Sequence, residues 1–387
     1  MEGTQVDADV AVIGAGTMGS FALWRLAKRG VRAIGFERFE PGHDRGSGHG
    51  ESRIIRTAYF EGSTYVPLVR SAFALWRELE READATLLTM TGGLMIGLPG
   101  SNLIEGTLKS AREHGLDHAV LEAEQLKKIY PQHVPRAGEV AVFEEAAGVL
   151  RPEVAIRTAA QRAEELGATL LRNTAVEALE EAESGVEVRA GGQSYCARRT
   201  IVAVGSWLGK VMPGLGLPLE VERQVMAWFP TEEPELFGPD RFPIVIRQQD
   251  GVDWYAIPSL DGKTVKAAVH HHGQIVNPDG VDREVHPDDV EPISRLVGDS
   301  LSGLIPTPAR AKVCMYTNTP DENFLVGSLA GRPRVVLLGG FSGHGFKFAP
   351  IMGDIAADLA VDGYTPHPID GFSPGRFAEP QSELLGS

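Results

Sequence analysis

Residues 8–13, Ala-Asp-Val-Ala-Val-Ile, form a short apolar run that stops at Gly14-Ala15-Gly16-Thr17-Met18-Gly19. No other juxtaposition in the chain constrains its fold as strongly. An apolar run of this length, bounded by glycine, reads as a buried parallel strand. The segment from Met18 to Arg29 then places Phe21, Leu23 and Leu26 among small residues and ends at Gly30, a helix C-cap signal. Arg32 to Phe36 reads as a second strand, closed by Glu37. The spacing predicts a βαβ unit. Within it, Gly14 permits the tight turn, Gly16 lets the backbone approach a pyrophosphate, and Gly19 lets the helix pack closely on the strand. The helix start offers N–H groups and a positive dipole end to phosphate. Glu37 stands where a carboxylate accepts hydrogen bonds from ribose hydroxyls. A glycine turn without a ligand would carry the same three glycines. The strand, helix and acid around them favour a dinucleotide.

The chain has 387 residues, enough for two or so domains. Mid-chain, Pro152 to Leu166 reads as an amphipathic helix stopped by Gly167, followed by strand-like runs at 169–172, 176–179, 186–189 and 200–204. Near the end, Arg334 to Leu338 is an apolar strand and Lys347 to Val361 a helix. The expected fold class is therefore α/β: a Rossmann-like nucleotide domain, discontinuous, built from residues 1–85, 146–217 and 311–370. Residues 86–145 and 218–310 contain alternating runs such as 221–229, 244–248, 254–257 and 264–270. These fit an antiparallel sheet in an α+β second domain that would hold the substrate. Residues 371–387 read as an irregular tail.

Formal net charge is −15, with a pI near 5.2. This disfavours nucleic acid, whose phosphates need clustered Lys and Arg. No apolar run approaches the ~20 residues that span a bilayer, so no membrane partner is expected. Met1 to Asp9 lacks the basic and apolar regions of a signal peptide. Two cysteines, Cys196 and Cys314, do not make a disulfide framework. A cytoplasmic setting is the expectation. The triplet His270-His271-His272 invites a metal reading, but adjacent strand residues face opposite ways and no zinc-like spacing accompanies them, so no metal is expected.

Three further blocks stand beside the glycine fingerprint. One is Gly46-Ser47-Gly48-His49-Gly50-Glu51-Ser52-Arg53-Ile54-Ile55-Arg56, continuing through Tyr65-Val66-Pro67-Leu68. Another is Cys314-Met315-Tyr316 with Pro320-Asp321-Glu322-Asn323-Phe324. The last is Gly340-Phe341-Ser342-Gly343-His344-Gly345-Phe346-Lys347-Phe348. In this order and spacing, over nearly the whole chain, they resemble the monomeric sarcosine oxidase and N-methyltryptophan oxidase family of flavin-dependent amine oxidases. The resemblance implies an FAD enzyme that oxidises the secondary amine of an amino acid to an imine, which water hydrolyses. Oxygen reoxidises the flavin and gives hydrogen peroxide. The resemblance further implies a covalent thioether to the flavin at Cys314 and a monomeric state. An alternative within the same chemistry is a cyclic imino acid of proline or pipecolate type, or a glycated or bulkier N-alkyl amino acid.

Arg53 and Arg56 are three apart, so on a helical turn they would share a face, and buried guanidinium groups need anionic company. The resemblance places Arg53 near the flavin ring and gives Arg56 and Lys347 the substrate carboxylate, which an Arg fork bonds through both oxygens. A lysine in the first turn of a helix sits against the positive dipole end, which hints at function. The turn Gly343-His344-Gly345 brings backbone N–H groups toward an anion. Lys266 lies in an alternating run where it shares a face with Ala268 and His270. That pattern alone equally suits the solvent face of an edge strand. By resemblance Lys266 promotes oxygen reduction, because a cation stabilises superoxide as it forms. His270, Tyr255 and Val245 would border the substrate. His49, Ser52, Val176 and Gly205, with Thr17 and Met18, complete the expected cofactor contacts. Arg247 departs from the family pattern. It reads either as a second anion-binding group in the pocket or, preferably, as surface decoration.

Overall fold

The protein is described from a computed structural model covering residues 6–182 and 185–377. Ala8–Ile13 runs parallel to Ala33–Phe36 on one side and to Gln193–Val202 on the other. Thr169–Leu171 extends this parallel set at one end and Arg332–Gly339 at the other. Burial on both faces explains the unbroken apolar run of the first strand. Leu325–Leu329 adds an antiparallel edge. The hairpin of Val176–Ala182 and Gly185–Ala190 pairs with the first half of Gln193–Val202.

The helix Thr17–Lys28 packs between Pro152–Glu165 and Ala349–Val361. Its approach to the sheet depends on Gly19, where a Cβ would lie 1.8 Å from the carbonyl oxygen of Gly14. Phe21, Leu23, Trp24 and Leu26 bury its apolar sides in the main core.

A second sheet follows the order Arg310–Asn318, Glu220–Pro230, Thr264–Val269, Val252–Ile257, Ile244–Gln249, Gly93–Gly97, Val140–Glu144, Ala119–Glu122. It is antiparallel except for one parallel pair, Gly93–Gly97 with Ile244–Gln249. The strand Arg310–Asn318, which carries Cys314, belongs to this sheet and pairs along its length with Glu220–Pro230. The sequence expectation that residues 311–370 lie wholly in the nucleotide domain is corrected at this strand.

A small third sheet joins Arg53–Arg56, Ala147–Leu150 and Leu88–Met90. Arg53 to Arg56 is thus a strand, not a helical turn, because it finds a partner in Ala147–Leu150 far along the chain. The helices Val66–Ala83, Asn102–His114 and Pro287–Ser300 were not expected. Asp370–Phe372 and Pro374–Phe377 form short 3-10 turns, and the rest of the expected tail, residues 378–387, lies outside the described residues. Among the described residues no helix is long and apolar enough to cross a membrane.

Candidate active site

The ends of the parallel strands open on a groove of about 460 Å³. Gly14, Gly16, Thr17 and Met18 line its base, Glu37 one end, and Val176, Gly205, Gly343 and Gly345 its walls. Gly19 lies under the turn rather than in the groove. The Glu37 carboxyl is pushed up by burial, opposed by backbone N–H bonds, including one from Phe39 at 2.9 Å. A buried acid with an acceptor edge at the end of this strand fits a ribose. His49 is also buried, and both of its ring nitrogens lack partners. Burial first, then Arg53, lowers its pKa to about 3, so it is a neutral imidazole.

A second, smaller cavity of about 90 Å³ adjoins the groove. Arg53, Tyr316, Gly343 and Phe346 line both and form their common wall. At Gly343 a Cβ would meet the Tyr316 ring at 2.5 Å, so a side chain there would force the wall apart. Cys314, 1% exposed, also lines the small cavity. Its Sγ lies 3.8 Å from Arg53 Nη2, and it is a free thiol. Arg53 donates to the carbonyls of Ser52 and Ser47 at 2.8 and 2.7 Å, which fixes its guanidinium beside the sulfur. Ser52 lines the cavity as well.

Arg56 and Lys347 meet in this cavity although they lie at opposite ends of the chain. Arg56 donates to Ala58 O at 2.6 Å and pairs closely with Glu61, while its Nε has no partner. Its guanidinium rests over the rings of Tyr59 and Phe60, at 4.4 and 4.6 Å. Lys347 Nζ donates to His344 O at 2.7 Å and Tyr59 Oη at 3.2 Å, which leaves one of its three protons uncommitted. Burial, then Arg56, lowers the Lys347 pKa to about 7, against the opposing pull of Glu61. Burial also disfavours ionised Glu61, yet Arg56, His344 and Lys347 hold it at about 2. His344 lies at about 4, lowered chiefly by burial, and its Nδ1 meets Tyr59 Oη at 2.6 Å.

Tyr255 and His270 line the same cavity. Burial pushes the Tyr255 phenol up to about 12 and drives His270 well below its usual range, so both are neutral near pH 7. His270 Nδ1 lies 3.3 Å from Tyr316 Oη. The strand ends at Val269, before the histidine triplet. Hence His270 and His271 do not face opposite ways; their rings lie 4.3 Å apart, and His271 pairs with Glu222.

Lys266 is no edge-strand residue. It is 2% exposed on a central strand, and its Nζ donates to Gly50 O and Ser52 O at 2.9 and 2.6 Å. Burial and then Arg53 lower its pKa strongly. It lines a third cavity, with Glu51, Arg151 and Trp228, rather than the one that holds Arg56.

Two expectations are corrected. Val245 faces away from the cavity into an apolar core with Leu94 and Phe229, and its neighbour Ile246 lines the cavity instead. Arg247 is neither in the pocket nor on the surface. It is fully buried, with Nε 3.1 Å from Glu139 and Nη2 2.9 Å from Val134 O. Glu61, Tyr59, Phe60 and Ile246 are cavity or clamp residues that sequence reasoning missed. For Glu61 there was a signal, since it is the first acid after Arg56 and a buried guanidinium requires one.

A groove with a dinucleotide fingerprint, joined to a small cavity that holds Arg56, Lys347 and a buried thiol, is the arrangement of a cofactor-dependent enzyme. Comparison with known proteins agrees. Residues 9–359 match the family model of FAD dependent oxidoreductases. Monomeric sarcosine oxidase of Streptomyces avermitilis is 40% identical over 375 residues, covering 96% of this chain and 98% of that protein. The enzyme of the same name from Arthrobacter sp. strain TE1826 is 37% identical, covering 98% and 99%. N-methyl-L-tryptophan oxidase of Yersinia pestis is 32% identical, covering 96% and 100%. In fold, the chain resembles NikD, an amino acid oxidase of nikkomycin biosynthesis (TM-score 0.85, 23% identity, 99% of each chain). It likewise resembles glycine oxidase of Geobacillus kaustophilus (TM-score 0.81, 19% identity, 97% and 100%). The chain belongs to the FAD-dependent oxidoreductases, in the group of the monomeric sarcosine and N-methyltryptophan oxidases. Its cofactor is FAD.

Proposed function

We propose that this protein oxidises a small N-methyl amino acid, of the sarcosine type, with O2 as electron acceptor and hydrogen peroxide as product. The observation that carries the proposal is the pairing of Arg56 and Lys347 in a cavity that shares a wall with the cofactor groove. Each has a donor left over: Nε of Arg56 and one proton of Lys347. Together they suit the two oxygens of a carboxylate. Bound FAD supplies the two-electron acceptor for the carbon–nitrogen oxidation and returns those electrons to O2.

The residues of the chain orient and exclude. With the carboxylate clamped, the amine is directed toward the groove wall, a positioning effect. Tyr255 and His270, both neutral, border it without adding a charge that would repel an ammonium group. Ile54, Phe60, Ile246 and Ile257 keep the rest of the cavity dry. At about 90 Å³ the cavity suits a compact substrate better than an indole. Lys266, buried beside Arg53 with its Nζ held by Gly50 O and Ser52 O, is assigned to the oxygen half-reaction, where negative charge forming on oxygen would favour the protonated amine that burial and Arg53 otherwise disfavour. Cys314 is assigned as the covalent anchor, because its buried thiol lies 3.8 Å from Arg53, which lines both cavities.

Anaerobic bleaching of the purified flavoprotein by a panel of amines tests the reading. Sarcosine and N-methylalanine are expected to bleach it fastest. Faster bleaching by proline or pipecolate would shift the assignment to cyclic imino acids, and bleaching by none would refute it.

A further inference from the structure

Between the strand Thr264–Val269 and the helix Pro287–Ser300, residues 270–286 form a connection whose one regular feature among the described residues is an antiparallel bridge of Ile275 to Glu222, flanked by backbone bonds of Gln274 and Val276. Unstructured connections beyond about 12–15 residues are uncommon in compact domains and are usually functional. This one starts at the small cavity with His270 and crosses to the mouth of the cofactor groove. There the Asp279 carboxylate gathers two donors from residues that line the groove, Trp207 Nε1 at 2.7 Å and Arg38 Nη1 at 3.3 Å, and pairs with Lys210 beside them. Arg38 and Trp207 line the groove beside Glu37. Farther along, Arg283 donates to the carbonyls of Asp44 and Arg45 at 3.1 and 2.7 Å. These carbonyls belong to the segment that supplies His43, Gly46 and Ser47 to the opposite rim.

The two ends of the connection are built differently from its crest. At its start His271 and His272 both have left-handed φ, 64° and 70°, and His271 is fastened to Glu222. At its end Arg223, 8% exposed, donates to Asp282 O and Glu284 O and is paired with Asp289. The crest is held by two exposed ion pairs, Asp279 with Arg38 and with Lys210, whose Asp279 and Lys210 side chains are 43% accessible, and by the hydrogen bonds of Trp207 and Arg283. Exposed pairs hold weakly. Firm ends and a weakly held crest describe a latch.

We propose that residues 277–283 are a strap over the adenosine end of the FAD groove, and that release of the Asp279 and Arg283 contacts opens the groove for cofactor entry before attachment at Cys314. The proposal rests on the reading that the ribose lies at Glu37. The test uses the full chain carrying Cys314→Ser, loaded with FAD, so that release is observable as a rise in free-flavin fluorescence. Asp279→Ala and Arg283→Ala are each introduced into it. Both are expected to accelerate FAD release and FAD uptake by the apoprotein together, by about tenfold for the loss of several exposed pairs, while FAD affinity changes little. Rates within twofold of the parent in both variants would overturn the strap. Faster release with unchanged uptake would also overturn it, since Asp279 would then be a binding contact and not part of a gate. A parent that keeps no FAD once unbound flavin is removed by gel filtration would overturn the cofactor reading as well, whereas a flavin-loaded parent with unaltered variants overturns the strap alone.

Discussion

The depressed pKa of Lys347 has a measurable consequence for carboxylate binding. With no ligand it sits at about 7, below the usual lysine range because it is buried beside Arg56. A carboxylate bound at Arg56 and Lys347 favours the charged lysine and raises that pKa. Two unit charges 4 Å apart at an effective dielectric of 20 interact by about 4 kcal/mol, which is roughly three pKa units. Between about pH 7 and pH 10, therefore, binding must take up a proton, and Kd rises by up to tenfold per pH unit. From pH 6 to pH 9 the expected loss is about a hundredfold, or roughly 2.7 kcal/mol. Other groups around the clamp do not titrate in this range: Tyr59 lies well above it, and Glu61, His344 and His270 well below. Butyrate, which has the carboxylate and lacks the amine, serves as the probe, with binding read from the flavin absorbance. Lys347→Met should bind it weakly at every pH, with a flat profile. A flat profile in the unaltered protein, or a slope that survives in Lys347→Met, would refute the reasoning.

Other outcomes follow from the same geometry. Cys314→Ala should give a protein whose flavin is released by acid or denaturant, while the parent precipitates yellow; parental flavin lost under denaturant would remove the covalent assignment. Lys266→Met should slow reoxidation of the reduced flavin by O2 about 10²–10³-fold, the scale of one lost electrostatic stabiliser, and leave anaerobic reduction by substrate near the parent rate in stopped flow. Arg247→Met should cost about 3–5 kcal/mol in urea unfolding, because it strands buried Glu139. Adding Glu139→Leu should recover most of that loss. Ile246→Phe should raise KM for N-methylalanine more than for sarcosine, since Ile246 and not Val245 borders the cavity; equal effects on the two substrates would count against that placement.

How far the sequence discloses this structure differs from residue to residue. The βαβ unit is legible because its strands are buried on both faces and its glycines are required by close packing, both of which leave local patterns. Cys314 is legible only through the resemblance, and Lys347 has beyond it only its place at the positive end of a helix, because their cavity is assembled from segments far apart in the chain. Val245 and Ile246 show the limit of pattern reading: in a strand, one position decides which face a side chain occupies. Arg247 looks like a lone surface cation because its partner Glu139 is 108 residues away. Arg53 and Arg56 suggest a helical turn until Ala147–Leu150 supplies the partner that makes them a strand. Lys266 is misread from pattern alone, since alternation cannot distinguish a central strand from an edge.

The first strand made on the ribosome is among the last to be completed. Ala8–Ile13 must wait for Gln193–Val202 to pair with it, and that strand for Arg332–Gly339. Gly353 then nests against the backbone of Phe21, where a Cβ would come within 2.6 Å. A chain lacking the residues beyond Gly339 would lack both the groove wall formed by Gly343, Gly345 and Phe346 and the closing helix Ala349–Val361. Such long-range closure makes for slow folding, and the cofactor groove takes shape only once the two ends of the chain have met.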